Sequence, residues 1–573
     1  MLFAALSAAL LLLTACGEQA PPPDEIPEET AFTLTVALGE APADLDPARC
    51  TAEGGETILL HLYENLLRWE DNGIGFAALV PGQAESYTVE TDYLGNATYT
   101  FTLRDDIYWS DGQSVTAHHF VSAWQRLANP AHAFPHSSLL SCIKGYDTVQ
   151  EGGDVSLLGI SAVDNRTLVV QLNGNPPSFL YKVCTGAYTM PVRSFLTGNA
   201  PITSVTNGAY TLAAPTESGE AAVVLTKSST YYDAARVTVD CLRFIPSGGS
   251  DTDYAKFLQG SVSFTTNLPA AALNKIGTPE PVTSTYGIVF NTRVFPFDSI
   301  DIRTAFRLAV DEQAVIDALN DLTLRPAVGP VPYGFADYSA YTSGKTIGTD
   351  QNTTGNPPLV YTGANRDFRA HSEEIVTLNI SSDYAADCEK AQQLLASAGY
   401  PNGYGFPQVE YLYIDTPENS AVAAQLQTTW KQVLGVTVTL RAVTAEEYAQ
   451  LLTPGVQDEA VGPTYWIAAA EFTAADRYDI IDFLHRWHSS DARNSAGYSS
   501  AAFDILLKAA GSAAAPETYD AYLHDAEAIL LEDAPVVALF YRGGSYALAD
   551  GLTGLYRLPN GVYFFSRVYS TEK

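Results

Sequence analysis

Tyr99, Phe101 and Leu103 alternate with Thr100, Thr102 and Arg104. This is the two-residue period of a strand with one apolar face. Ser110, Asp111 and Gly112 follow, and these residue types favour a turn. From Thr116 the period becomes helical, with Phe120, Val121, Trp124 and Leu127 on one side. Similar strands and helices recur along the chain, which points to a mixed α/β protein.

The N-terminus is of another kind. Leu2 to Leu13 is almost wholly apolar and leads through Thr14 and Ala15 to Cys16. A membrane-spanning helix takes roughly 20 apolar residues, so this shorter run reads as the core of a secretory signal peptide. Residues 17–30 carry Pro21, Pro22, Pro23 and Pro27 among acidic residues, with no apolar periodicity. They read as an extended tether.

A net charge of -34 argues against nucleic acid, whose phosphates want Lys and Arg patches. It argues equally against adsorption on anionic lipid and keeps a secreted chain soluble by self-repulsion. The spacing of Cys50, Cys142, Cys184, Cys241 and Cys388 fits no zinc pattern. No cofactor is expected.

Nucleophile-elbow, zinc-protease and phosphate-loop motifs are missing from the sequence. His118 and His119 are helical neighbours that face different ways, so a solvated surface is the expectation. His485 and His488, with Asp482 nearby, have a spacing that suits a metal, but a metal site is not expected. An enzyme is therefore not the expectation.

Several further segments fall in order. A strand, Phe32 to Leu38, precedes a helix pattern from Thr57 to Leu67 that contains Tyr63, Glu64, Asn65 and Leu66. Two strands flank Asp164 and Asn165. Asn207, Gly208, Ala209 and Tyr210 precede a strand from Val223 to Lys227. Thr285 to Thr292 reads as a strand, Ile302 to Asp311 as a helix, and Lys390 to Ala398 as a helix stopped by Gly399. Leu434 to Leu440 alternates, Tyr522 to Glu532 is amphipathic, and Ala534 to Tyr541 reads as a buried strand.

Together, and in this order, these segments resemble extracytoplasmic solute-binding protein family 5, the oligopeptide/dipeptide-binding lipoproteins of ABC importers. The resemblance implies a periplasmic-binding-protein type II-like two-lobe fold with an extra inserted subdomain. It implies a signal peptide over residues 1–15 and a tether over 16–30. Lobe I would comprise 31–68, 192–285 and 541–573, with a subdomain inserted over 69–191, and lobe II would comprise 286–540. Cys142 and Cys184 would share the inserted subdomain, where a disulfide between them and buried free thiols are both open.

The implied function is capture of a peptide or peptide-like solute between the lobes and delivery to ABC permease subunits. The protein would be a monomer on the extracytoplasmic face of the membrane, held by acylated Cys16. The same fold used as a ligand sensor or cell-surface receptor is the alternative, and an extracellular hydrolase a more distant one. In many relatives a Trp-x-Ala-Asp-Tyr segment supplies an aspartate for the peptide ammonium. Here Trp466 is kept but Ala469 stands at the aspartate position. Either another acid such as Glu471 or Asp476 takes over, or the ligand is not a free-amine peptide, which leaves blocked peptides, cell-wall fragments and other polar solutes open. By position, the remaining candidates for the ligand site are Tyr63, Glu64, His136, Thr266, Asn267, Tyr286, Asn494 and Tyr541.

Overall fold

The computed structural model of the chain describes residues 31–39, 42, 44–50, 54–71, 77–176, 179–185, 190–191, 193, 205–213, 222–269, 272, 278–319, 321, 323–333, 335, 337, 368–369, 383–452, 464–473, 479–491, 493–513, 515–557 and 562–571. Cys16, the expected signal peptide and tether, Asp476, and the side chains of Cys184 and Asp482 lie outside the described residues.

The segment before Trp109 folds as its alternation dictates. The strand Ala97–Leu103 buries Tyr99, Phe101 and Leu103 and leaves the residues between them half exposed. It lies between Ala84–Thr91 and Thr167–Gln171, and Ile160–Ala162 completes a four-stranded antiparallel sheet. The helix Ala117–Ala128 packs on two of these strands and buries Phe120, Trp124 and Leu127. Val121 stays half exposed, at the margin of that face.

His119 departs from the expected solvated surface. Its Nδ1 accepts the N–H of Thr116 at 3.0 Å and faces the Trp109 indole N–H at 3.3 Å. The imidazole thus takes the place of the usual glutamate in a capping box at the helix start. Burial pulls its pKa down to about 4, which keeps Nδ1 an acceptor. His118 is exposed.

The first helix, Gly55–Leu62, is shorter than its sequence pattern and does not reach Leu67. Gly208 presses against its end, where a Cβ would lie 2.6 Å from the Leu62 carbonyl carbon. The Asn207 side chain then accepts the N–H of Glu64 and donates to its carbonyl. These contacts replace the next helical turn, and Leu67–Asp71 becomes a strand instead.

The large sheet runs in the order Val438–Val443, Val409–Ile414, Ile467–Thr473, Thr278–Phe290, Val536–Leu548, Phe264–Thr265, Thr33–Ala37, Cys241–Ile245, Val223–Lys227 and Tyr210–Leu212, with Leu324–Pro326 off this path on Val536–Leu548. Val409–Ile414 and Val438–Val443 are parallel and joined by the helix Pro417–Leu434. That is a crossover unit. Thr33–Ala37 is parallel to Cys241–Ile245 and to Phe264–Thr265.

Thr278–Phe290 and Val536–Leu548 join the two halves of this sheet. They are antiparallel from Thr278↔Tyr546 to Val289↔Val536, with register shifts between Pro279 and Val282, Val282 and Ser284, and Tyr286 and Gly287. Each is longer than its alternation pattern suggested. One core contains Leu34, Phe101, Trp124 and Phe244, and a second contains Phe290, Phe306, Tyr411 and Trp430. The result is a two-lobe α/β fold. Among the described residues no helix is long and apolar enough to cross a membrane.

Candidate functional site

A cavity of ≈ 360 Å³ opens beside the long strand Thr278–Phe290. Its described lining comes from residues between Tyr286 and Ser495. One wall is the strand Ile467–Thr473, which contributes Ala469 through Phe472. Opposite it stand Tyr448 and Leu452 from the helix Ala445–Leu452, and Asn419 from the first turn of Pro417–Leu434. Arg486 and Trp487 close another side, next to Arg493, Asn494 and Ser495.

The wall strand is paired along one edge only over much of its length. Ile467 to Thr473 pairs throughout with Phe290 to Ser284. On the other edge, pairing with Val409–Ile414 covers only Tyr411↔Ile467 and Leu412↔Ala468. Tyr448 donates its hydroxyl to the Ala469 carbonyl on that second edge. Main-chain groups in a strand alternate in direction, so Glu471 turns its own N–H and C=O the same way as Ala469. Among the described residues no strand pairs with the main chain of Ala469 and Glu471 on this edge, which borders the cavity.

Polar side chains around the cavity are held in place. The Tyr286 hydroxyl donates to Asn419 Oδ1 at 2.7 Å, while Asn419 Nδ2 donates to the Ile414 carbonyl at 2.9 Å. The Tyr286 ring stacks on Phe540 at 4.9 Å. Burial raises the Tyr286 and Tyr448 hydroxyls well above the ordinary tyrosine range, so both act as neutral donors. Glu471 accepts from Ser284 Oγ at 2.8 Å and from Arg542 Nε at 3.1 Å. Arg542 also donates through Nη2 to Glu418. Burial works against that guanidinium, but the bond to Glu418 and the two carboxylate charges outweigh it and raise its pKa.

Arg486 lies over three rings, 5.1 Å from Phe472, 5.3 Å from Phe483 and 5.6 Å from Trp487. Arg493 donates through Nε at 2.9 Å and Nη2 at 2.6 Å to Asp491. Burial pushes Asp491 up, and its bonds to Arg493 and His485 win, leaving it far below the usual carboxylate range. His485 and His488 stack ring on ring at 4.8 Å. Their partners are Asp491 and Ser490, and no cluster of three or more metal-ligating groups exists among the described residues.

Three of the candidate residues line this cavity: Tyr286, Glu471 and Asn494. Asn494 spends its amide on its own loop, bonding the Trp487, His488 and Tyr498 carbonyls and the Tyr498 N–H. Tyr63 and Glu64 line a separate cavity of ≈ 60 Å³. There Glu64 is enclosed by Arg68, Gln83 and Tyr231 in a buried network.

His136, Thr266, Asn267, Trp466 and Tyr541 are not among the residues lining either cavity. His136 starts the short helix Ser137–Leu140, and Thr266 sits half-buried after Phe264–Thr265. Asn267 donates to Ser247 and Asp253, and the buried Tyr541 hydroxyl meets Val328 and Gly329. Trp466 packs half-buried against the second core. Asn419, Tyr448, Arg486, Arg542 and Glu418 carried no local signal, because they belong to ordinary helices, a turn and a strand that meet only in space.

The model of a family described as "Bacterial extracellular solute-binding proteins, family 5 Middle" matches residues 78–495. The chain belongs to this family. Among family-5 relatives, the periplasmic oligopeptide-binding protein OppA of Escherichia coli is 27% identical over 526 residues, covering 89% of this chain and 87% of its own. The dipeptide-binding protein DppE of Bacillus subtilis is 26% identical over 495 residues, covering 84% and 82%. The solved Escherichia coli murein tripeptide-binding protein MppA superposes with a TM-score of 0.71 at 23% identity, covering 95% and 99%. Haemophilus influenzae OppA in complex with RPPGFSPFR gives a TM-score of 0.70 at 23% identity, covering 95% and 100%. Both structures share this fold.

Ala469, expected from the sequence to stand where relatives carry an aspartate, lines the cavity and is 6% exposed. Two positions on, Glu471 is the one carboxylate among the described lining residues. Strand alternation puts Ala469 and Glu471 on the same face.

Proposed function

We propose that this protein is the substrate-binding component of an ABC importer for peptides or peptide-like solutes. The half-paired edge of Ile467–Thr473 beside the cavity carries the reading. A ligand with a peptide backbone matches that edge by strand addition, which leaves side-chain identity open. Burying a polar backbone without partners costs roughly 2 to 7 kcal/mol per group, so an edge whose main chain no described strand pairs with favours such ligands. The names of the curated relatives, an oligopeptide- and a dipeptide-binding protein, support the same class.

In this reading the ligand ammonium sits near Glu471 rather than at the position held by Ala469. Two carboxylates, Glu418 and Glu471, share the single guanidinium of Arg542 and leave one negative charge over. The lobes close about the paired strands Thr278–Phe290 and Val536–Leu548. Lobe I comprises 31–68, 192–285 and 541–573 with 69–191 inserted, and lobe II comprises 286–540. The protein is a monomer, anchored outside the cytoplasm by acylated Cys16. It hands its ligand to permease subunits and catalyses no reaction.

Mass spectrometry of whatever co-purifies with the protein tests the ligand class. A mixed peptide population is the expected result, and a single non-peptide species would overturn the reading. Saturable hydrolysis of peptides by the purified protein would sink the binding-only role. Intact-mass analysis of membrane fractions should show a lipid-sized increment that Cys16→Ser abolishes.

A further inference from the structure

We infer that the cavity carries an apolar subsite, formed by Val289, Leu452, Ala470, Phe472 and Trp487, which selects peptides with a large apolar or aromatic side chain at one position. The inference rests on the reading of this cavity as the peptide site. Strand addition leaves side-chain identity open, but the lining of the cavity does not.

The strand Ile467–Thr473 divides that lining in two. Directly opposed residues of an antiparallel pair share a face, and successive residues of one strand alternate. Ala469 and Glu471 therefore share a face with their partners Ile288 and Tyr286. Ala468, Ala470 and Phe472 lie on the other face, with Val289 opposite Ala468. A ligand strand on the open edge sends alternate side chains to these two faces.

The first face carries the carboxylate of Glu471. The second is apolar. Phe472 meets Trp487 edge to face, with centroids 5.2 Å apart. Val289, Phe472 and Trp487 are buried in the first core, and the half-buried Ala470 and Leu452 pack against it.

The neutral polar side chains of the lining are committed to the protein. Tyr448 gives its hydroxyl hydrogen to the Ala469 carbonyl, and Tyr286 gives its own to Asn419. Asn419 in turn donates to the Ile414 carbonyl, and Asn494 ties its amide to Tyr498. Tyr286 and Tyr448 thus offer a ligand ring surface rather than a hydroxyl donor. Arg486 lies over Phe472, Phe483 and Trp487, and Arg493 is bound to Asp491 in a two-pronged contact. Both cations are therefore engaged within the protein.

Size agrees with this chemistry. The cavity measures ≈ 360 Å³, and an apolar cavity of about 150 Å³ is enough to hold a benzene ring. A phenyl group fits the second face and leaves room for a backbone along the edge. An ionised side chain placed there would lose its hydration without gaining a partner.

Calorimetry compares tri-alanine with Phe-Ala-Ala, Ala-Phe-Ala and Ala-Ala-Phe, then with tripeptides carrying Leu, Glu or Lys at the position that responds. One of the three Phe peptides should bind about 10- to 100-fold more tightly than tri-alanine, the scale of burying one large apolar side chain. Leu at that position should keep most of the gain, and Glu and Lys should bind no more tightly than Ala. Ala470→Leu adds bulk on the apolar face and should bring the Phe-to-Ala affinity ratio down toward one. Leu452→Ser should lower that ratio as well.

A wild type that gains nothing from Phe, or gains equally from Phe at all three positions, would overturn the subsite and leave the peptide reading intact. So would an equal gain from Glu or Lys, or a ratio unchanged in both variants. If Ala470→Leu binds neither peptide, the wild-type ratio and Leu452→Ser decide the matter. Failure of every tripeptide to bind the wild type would overturn the peptide reading, and this inference with it.

Discussion

Arg542 donates to Glu471 at 3.1 Å and, through its second prong, to Glu418. The strand that joins the two halves of the sheet is thus tied to the wall of the cavity. Any ligand group that binds Glu471 competes with Arg542 on the strand Val536–Leu548. Glu471→Gln should therefore weaken binding of peptides with a free ammonium by about 10- to 100-fold, and N-acetylated peptides little. Calorimetry on matched pairs gives the comparison. Equal losses for both ligands would remove Glu471 as the ammonium partner.

Glu64 offers the contrast. Its side chain lies in a buried network with Arg68, Gln83 and Tyr231, away from the larger cavity. Removing the acid leaves the half-buried Arg68 facing fewer charges. Because Arg68 keeps Asp233 at 2.9 Å, Glu64→Ala should cost about 1–3 kcal/mol of stability, the scale of buried Gln83 and Tyr231 groups left without their acceptor. Peptide affinity of the folded fraction should not change. Chemical denaturation and calorimetry on the same preparation would show whether a loss of affinity appears instead.

His61 links the first helix to the C-terminal segment. Its Nδ1 donates to the Thr57 carbonyl at 2.7 Å, and its Nε2 accepts the Phe565 N–H at 3.0 Å. Burial pulls its pKa from 6.5 down to about 4. The unfolded chain therefore binds a proton between these values and the folded one does not. Stability from this group is present above pH 6.5 and drains away as pH falls toward 4, by at most about 1.4 kcal/mol per pH unit. His61→Asn should be less stable at pH 7 and show a flatter slope in this window. An unchanged slope in pH-dependent denaturation would contradict it.

Glu312 acts in the opposite sense. Burial, reinforced by Asp311 and Asp387 against Arg307, raises its pKa from 4.5 to about 7. Here the folded chain holds a proton that the unfolded one has lost. Stability is full below pH 4.5 and falls as pH rises toward 7. Glu312→Gln should remove that fall and stabilise the protein at neutral pH. A melting curve that steepens with pH just as in the wild type would count against it.

Some of this was legible before any contact was known. The alternation of Tyr99, Phe101 and Leu103, the helix of Phe120 and Trp124, and the glycine stop at Gly399 all follow from local period and turn chemistry. The helical pattern of the sequence runs on to Leu67, but the first helix ends at Leu62 because its end is decided by Asn207 and Gly208, far along the chain. His119 reads as a surface residue in the sequence, because a neighbouring pair of histidines gives no hint that one becomes a cap.

Periodicity reports which face of an element is apolar, and the order of the motifs reports the family. Composition adds the charge of -34, which sets solubility and disfavours nucleic acid. These the sequence determined by itself. The cavity, the sharing of Arg542 by Glu471 and Glu418, and the pinning of Arg486 between rings were decided by tertiary structure alone. Arg542 lies 71 residues from Glu471 and 124 from Glu418. Whether such residues touch depends on strand order and register, and a shift of one residue would turn each side chain to the other face.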